Sequence, residues 1–256
     1  MTLSSIEKWL LAIPLAGGTV FGLAPLLVPA QFAAVTGYTG QDPYVYRLAG
    51  AATFGYAVAL WLGIRRGDFP ALRAVIAATL AFNVVSILAS ALEIAAARAQ
   101  PVVFLIVVTD VAIIWLSVRI LRAHAGQTGE PRRVPLWIVV VTALATAAAA
   151  VFGILPEFPT LAASLSGASG RDEFIFRQAG ASTFGYAVMG VLELRSLRWS
   201  EIRLPAVMGA TFNGLAFIAS LYTIATGGAT PVVALVAVAS GAFTVLIAAQ
   251  LVRDGR

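Results

Sequence analysis

Eight apolar stretches of about 20 residues, cut by prolines, glycines and clusters of charge, limit what this chain can become. They fall near residues 7–28, 43–64, 71–93, 101–121, 134–155, 172–194, 202–225 and 231–252. Each is long enough to cross a bilayer as a helix and too long and uniformly apolar for a barrel strand. Composition agrees: 60% of the 256 residues are hydrophobic and 11% are charged, against about 45–50% and about 25% in soluble domains. The expected fold class is an all-α integral membrane protein of eight transmembrane helices, with no room for a soluble domain. The first stretch mimics a secretory signal, with MTLSSIEK ahead of it and VPA at its end. It is read as a span because it is longer than a signal core and has a counterpart at the start of the second half.

An internal repeat gives the spans an order. RLAGAATFGYAV at 47–58 recurs as RQAGASTFGYAV at 177–188, ten of twelve positions identical at an offset of 130. At the same offset Pro29 pairs with Pro159, Gly37 with Gly167, Gly40 with Gly170, Asp42 with Asp172, Phe82 with Phe212, Asn83 with Asn213, Ser90 with Ser220 and Pro101 with Pro231. The reading is a tandem duplication of a four-helix unit: repeat 1 over 1–125, a basic linker over 126–133, repeat 2 over 134–256. Four spans per unit bring both copies in from the same side, so the repeats are parallel, related by a pseudo-twofold along the membrane normal. Conservation of the repeated block on all its faces predicts that the second and sixth spans are central, with Ala51/Gly55 and Ala181/Gly185 as close small-residue contacts.

Charge sets the expected orientation. Lys8, Arg65, Arg66, Arg73, Arg119, Arg122, Arg132, Arg133, Arg195, Arg198, Arg203, Arg253 and Arg256 fall on one side. Arg47, Arg98, Arg171 and Arg177 fall on the other. The positive-inside rule then places both termini in the cytoplasm of a multi-pass cytoplasmic (inner) membrane protein, with Trp9, Trp61, Trp137 and Trp199 near the same face. A net charge of +5 is explained by this bias, so no nucleic-acid partner is expected. Membrane lipid, a small-molecule or ion ligand and other copies of the chain are the partners this composition allows.

Several chemistries are excluded. Without cysteine there is no thiolate, disulfide or cluster ligand. The one histidine, His124, lies in the polar linker, and the one lysine, Lys8, at the edge of the first span. Neither a haem or copper pair nor a retinal Schiff base can form inside the bilayer, and no cofactor or metal is expected.

Polar residues within spans therefore carry any function. Asp110 lies about 14 Å along the fourth span at about 1.5 Å per residue, near the midplane, where a lone carboxyl costs about 2.5–3.5 kcal/mol. It is read as a proton relay or ligand, or as a structural partner of Arg47 or Arg177; Ser240 stands at its counterpart. Asp42 and Asp172 are expected to cap their helices, and Arg47 and Arg177 to anchor at the surface or line a vestibule. Thr79, Asn83, Ser86, Ser90 and Glu93 form a polar stripe on the third span, answered by Asn213 and Ser220 on the seventh, and Tyr56 and Tyr186 are buried hydrogen-bonding aromatics. Asp110, Arg47, Arg177, Asn83, Asn213, Tyr56, Tyr186, Ser90 and Glu93 are thus the candidate ligand or pathway residues. The leading reading is binding or transport of a small solute, ion or lipid in a cavity between the two repeats. A non-catalytic accessory or scaffold protein is the second. A membrane enzyme using carboxylate and tyrosine acid–base chemistry is the third and weakest, since no catalytic signature is present.

Overall fold

The structure, a computed structural model, describes residues 3–130 and 134–254. Arg132, Arg133 and Arg256, used above for orientation, lie outside the described residues. Within them the chain is all-helical: α1 (Ser5–Leu27), α2 (Pro29–Thr36), α3 (Pro43–Arg66), α4 (Phe69–Ala95), α5 (Pro101–Ala123), α6 (Leu136–Ile154), α7 (Pro159–Ser166), α8 (Glu173–Ser196), α9 (Trp199–Ala225) and α10 (Pro231–Asp254). A single 3₁₀ turn, Leu155–Glu157, follows α6.

Seven of these helices are long and apolar enough to cross a membrane: α1, α3, α4, α5, α6 (with its 3₁₀ turn), α9 and α10. The chain is an all-α membrane protein. Helix α8 equals α3 in length at 24 residues but carries Glu173, Arg177, Glu193 and Arg195 along it. Helices α2 and α7, eight residues each, reach only about 12 Å at 1.5 Å per residue and cannot cross. These two short helices were not expected from the 20-residue windows. Both open on a proline (Pro29, Pro159) and stop at a left-handed glycine, Gly37 at φ 84° and Gly167 at φ 73°. Proline at the first helical position has no amide to leave unpaired, and glycine adopts positive φ without strain.

Helix boundaries recur at the offset of the sequence repeat. Adding 130 to the bounds of α2, α3 and α4 gives those of α7, α8 and α9. The packing recurs too. Helices α3, α4, α8 and α9 form the centre, α3 lying against α9 and α4 against α8, while α1 covers α3, α6 covers α8, α5 covers α4 and α10 covers α9. Glycine permits the closest of these approaches. A Cβ at Gly22 would sit 2.8 Å from the Phe54 Cα, and one at Gly153 2.8 Å from the Phe184 Cα, so α1 meets α3, and α6 meets α8, backbone to backbone.

At the middle of the bundle two tyrosines cross. The rings of Tyr56 and Tyr186 pack edge to face with centroids 5.1 Å apart. Tyr56 Oη donates to the Ser182 carbonyl at 2.7 Å and Tyr186 Oη to the Ala52 carbonyl at 2.8 Å. A buried phenol needs such an acceptor, and here each half supplies it to the other. Gly55 and Gly185 make room, since a Cβ at either position would collide with the hydroxyl of the opposite tyrosine. These glycines also allow close helix contact, since a Cβ at Gly55 would lie 3.0 Å from the Met208 carbonyl of α9 and one at Gly185 2.7 Å from the Ala78 carbonyl of α4.

A candidate ligand cavity around Asp110

Two cavities flank the crossed Tyr56 and Tyr186, each lined mainly by one half and closed by residues of the other. The first, about 220 Å³, lies among α1, α3, α4 and α5 and is closed by Phe174, Ile175 and Gln178 of α8. The second, about 410 Å³, lies among α6, α8, α9 and α10 and is closed by Tyr44, Val45 and Leu48 of α3. The three closing residues of each cavity are 130 apart from those of the other. Chemistry, in contrast, differs: Asp110, Ser86 and Thr79 of the first face Ser240, Ala216 and Gly209 at the equivalent positions of the second half.

In the first cavity the polar groups come from α2, α3, α4, α5 and α8 and from Tyr38 in the loop after α2. Asn83 Nδ2 returns to the Thr79 carbonyl at 2.6 Å, while Ser86 Oγ donates to Gln178 Oε1 at 2.9 Å. Asp110, buried at 5% exposure, has Ser86 as its hydrogen-bonding neighbour, and its Oδ2 has no partner. One hydroxyl proton cannot serve both Gln178 and Asp110. The acid is therefore under-supplied with donors, and no arginine answers it. The expected pairing of Asp110 with Arg47 or Arg177 does not form.

Both arginines are engaged elsewhere. The Arg47 guanidinium lies 4.5 Å from the centre of the Tyr222 ring. Arg177 Nη2 donates to Glu173 Oε2 at 2.9 Å, and Arg177 Nη1 is 3.6 Å from Glu93 Oε2. Arg98 joins them, 2.9 Å from Glu173 and 3.5 Å from Glu93. Its hydrogen bond to Glu173, reinforced by the charge of Glu93, holds the Arg98 guanidinium above its ordinary pKa despite the opposing cost of burial. The polar stripe on α4 thus divides: Thr79, Asn83 and Ser86 line the cavity, whereas Glu93 belongs to this ionic cluster at the end remote from the N-terminus. Ser90 belongs to neither. Its counterpart Ser220 bonds Tyr44 at 2.8 Å, but the residue equivalent to Tyr44 is Phe174, which leaves Ser90 Oγ without a partner.

Asp42 and Asp172 correct a second expectation. Both precede a helix, yet neither side chain makes a capping bond. Each instead crosses to the loop of the other half. Asp42 accepts from Ser169 N (2.6 Å), Ser169 Oγ (2.8 Å) and Gly170 N (3.1 Å). Asp172 accepts from Thr39 N (2.9 Å), Thr39 Oγ1 (3.0 Å), Gly40 N (2.8 Å) and Tyr46 Oη (2.8 Å). Beside this clasp Tyr38 stacks on Phe174. Burial first, then the charges of Glu93 and Asp172, raise the Tyr38 phenol above its ordinary pKa.

No family model matches the chain, and no curated protein and no solved structure matches it. Function must be read from the cavities alone. Of the residues singled out in the sequence, Asp110, Asn83 and Tyr56 line the first cavity and Asn213 and Tyr186 the second, while Arg47, Arg177, Ser90 and Glu93 line neither. Gln178 and Glu193 were missed. Gln178 stands opposite Leu48, one of two unlike pairs in the repeated block (the other is Ala52 and Ser182), and Glu193 stands opposite Gly63; a comparison of the two halves for unlike pairs finds both. Among the described residues no group of three or more histidines and acids is placed to hold a metal.

Proposed function

We propose that the chain is an eight-span protein of the cytoplasmic membrane, built from two parallel four-helix repeats, that binds a small solute through Asp110 in the cavity of its first repeat. The observation that carries the binding site is the buried, half-unpartnered carboxyl of Asp110 facing a space large enough for a small molecule. A carboxyl in that state is completed by a hydrogen-bond donor or a cation, and a ligand supplies what the protein withholds. Asn83, Thr53 and Gln178 offer it further contacts. Support for the duplication comes from the reciprocal bonds of Tyr56 with Ser182 and Tyr186 with Ala52 and from the exchanged loops of Asp42 and Asp172. Each of these pairs is related by a shift of 130 residues. Helix α8 serves as the eighth span because its outer charges are neutralised against Glu93 and Arg98 and because it fills the place that α3 fills in the other half.

Two results are expected. Small organic cations offered singly to the purified protein, methylammonium and guanidinium among them, raise the melting temperature of the wild type in a saturable way, and Asp110→Asn abolishes the rise, since the amide keeps the size but not the charge. An equal rise in the variant would contradict the site. For topology, the absence of cysteine allows single exposed cysteines at Ala125 and Ala229 to be labelled without background. In intact cells an impermeant maleimide reaches Ala229→Cys and not Ala125→Cys. The reverse pattern would overturn the orientation.

A further inference from the structure

The cavity of the second half differs from its twin in size, lining and charge. At about 410 Å³ it falls in the range of about 300–1,000 Å³ that accommodates drug-sized ligands, and the first cavity does not. Its walls are aliphatic and aromatic for most of their extent, and Val151, Leu165 and Leu235 line it while remaining more than half exposed on the outer surface of the bundle. In a membrane-spanning bundle that surface faces lipid tails, so the cavity borders the hydrocarbon where these residues of α6, α7 and α10 line it.

One acid lines this cavity. Glu193 is 6% exposed, has Thr142 of α6 as its hydrogen-bonding neighbour and forms no ion pair among the described residues, whereas Glu93, Glu173 and Glu201 each have an arginine within 4 Å. Its counterpart Gly63 is packed against Leu72, so the acid is particular to this half. A buried acid in a largely apolar cavity selects a base: an amine takes up its proton and remains as an ammonium with three donors against the carboxylate, whereas an alcohol can do neither and a carboxylate or phosphate headgroup adds a like charge.

We infer that the second cavity is a separate binding site for a hydrophobic amine, which enters from the bilayer with its apolar part along α6 and α10 and sets its ammonium group against Glu193. The inference does not depend on Asp110. Radiolabelled dodecylamine is the probe, with the purified full-length protein in nonionic detergent and unlabelled dodecanol as competitor. One saturable site per chain is expected, with dodecanol at least about tenfold the poorer ligand. Glu193→Gln weakens the amine by about tenfold or more, the loss of one charge-assisted bond. Ala239→Phe, which fills the cavity away from the acid, removes saturable binding and carries the test by itself if Glu193→Gln does not assemble. Binding that survives both substitutions, dodecanol competing as well as the amine, or no saturable binding to the wild type would each overturn the assignment. Binding lost in Asp110→Asn but kept in Glu193→Gln would place the amine in the other cavity and overturn it equally.

Discussion

Replacing Asp172 by alanine is expected to lower the stability of the purified protein by about 3 kcal/mol, more than any other single substitution in the loops. Four donors converge on this carboxylate, and they are unequal. Thr39 is exposed and can turn to water, but Tyr46 is fully buried, so its hydroxyl would be left in an apolar site with no acceptor. A buried donor stranded in this way costs about 1–3 kcal/mol. Asp42 holds its partners Ser169 and Gly170 without an equivalent phenol, because Phe176 stands where the other half has Tyr46. Asp42→Ala is therefore expected to cost less, about 1–2 kcal/mol. In a Tyr46→Phe background the penalty for losing Asp172 should fall to that of losing Asp42. The difference appears as a coupling term in a double-mutant cycle followed by denaturation in micelles. Equal penalties for the two aspartates, or no coupling to Tyr46, would show that the clasp does not hold the halves together.

A second substitution works in the opposite direction. Asp110→Ser copies into the first cavity the residue found at the same place in the second, Ser240. The change removes a carboxyl whose insertion near a helix centre costs about 2.5–3.5 kcal/mol and whose Oδ2 lacks a partner. Against this stands the small enlargement of a cavity that already exists, so little packing is lost. The free protein should become more stable by about 1–2 kcal/mol, the balance of those two effects, while losing its response to small cations. Stability gained together with binding lost is what a residue kept for its ligand produces. A net loss of stability would instead mark Asp110 as part of the bundle's internal hydrogen bonding.

Much of this architecture was legible in the chain because spans announce themselves by length and apolarity. The central place of α3 followed from the repetition of its whole surface, including the tyrosine and glycine that interlock at the middle. The short helices α2 and α7 escaped because a window sized to a bilayer cannot register eight residues, although Pro29 with Gly37, and Pro159 with Gly167, bracket them. The roles of Asp42 and Asp172 were misread for a different reason. An aspartate before a helix has the same local sequence whether it caps that helix or reaches another loop, and only the approach of the two halves decides between them. Arg177 was available to Asp110 in sequence terms, yet its charge is answered by Glu173 one turn away and Glu93 across the interface. Glu193 escaped because an acid two residues before Arg195 reads as interfacial charge; its burial depends on α6, which packs over it.

The most direct test of the account is the reaction of the membrane-embedded protein with a small hydrophobic carbodiimide, located by peptide mass spectrometry. Such a reagent enters from the bilayer and condenses with carboxyl groups that no cation neutralises. Modification is expected at Asp110 and Glu193, the two acids that face cavities without a counter-ion, and not at Glu93, Glu173 or Glu201, which arginines hold. Labelling at Asp110 should fall as a bound cation protects it. Reaction at the paired glutamates with Asp110 left untouched would contradict the claim that this chain keeps an open, ligand-ready acid inside the membrane.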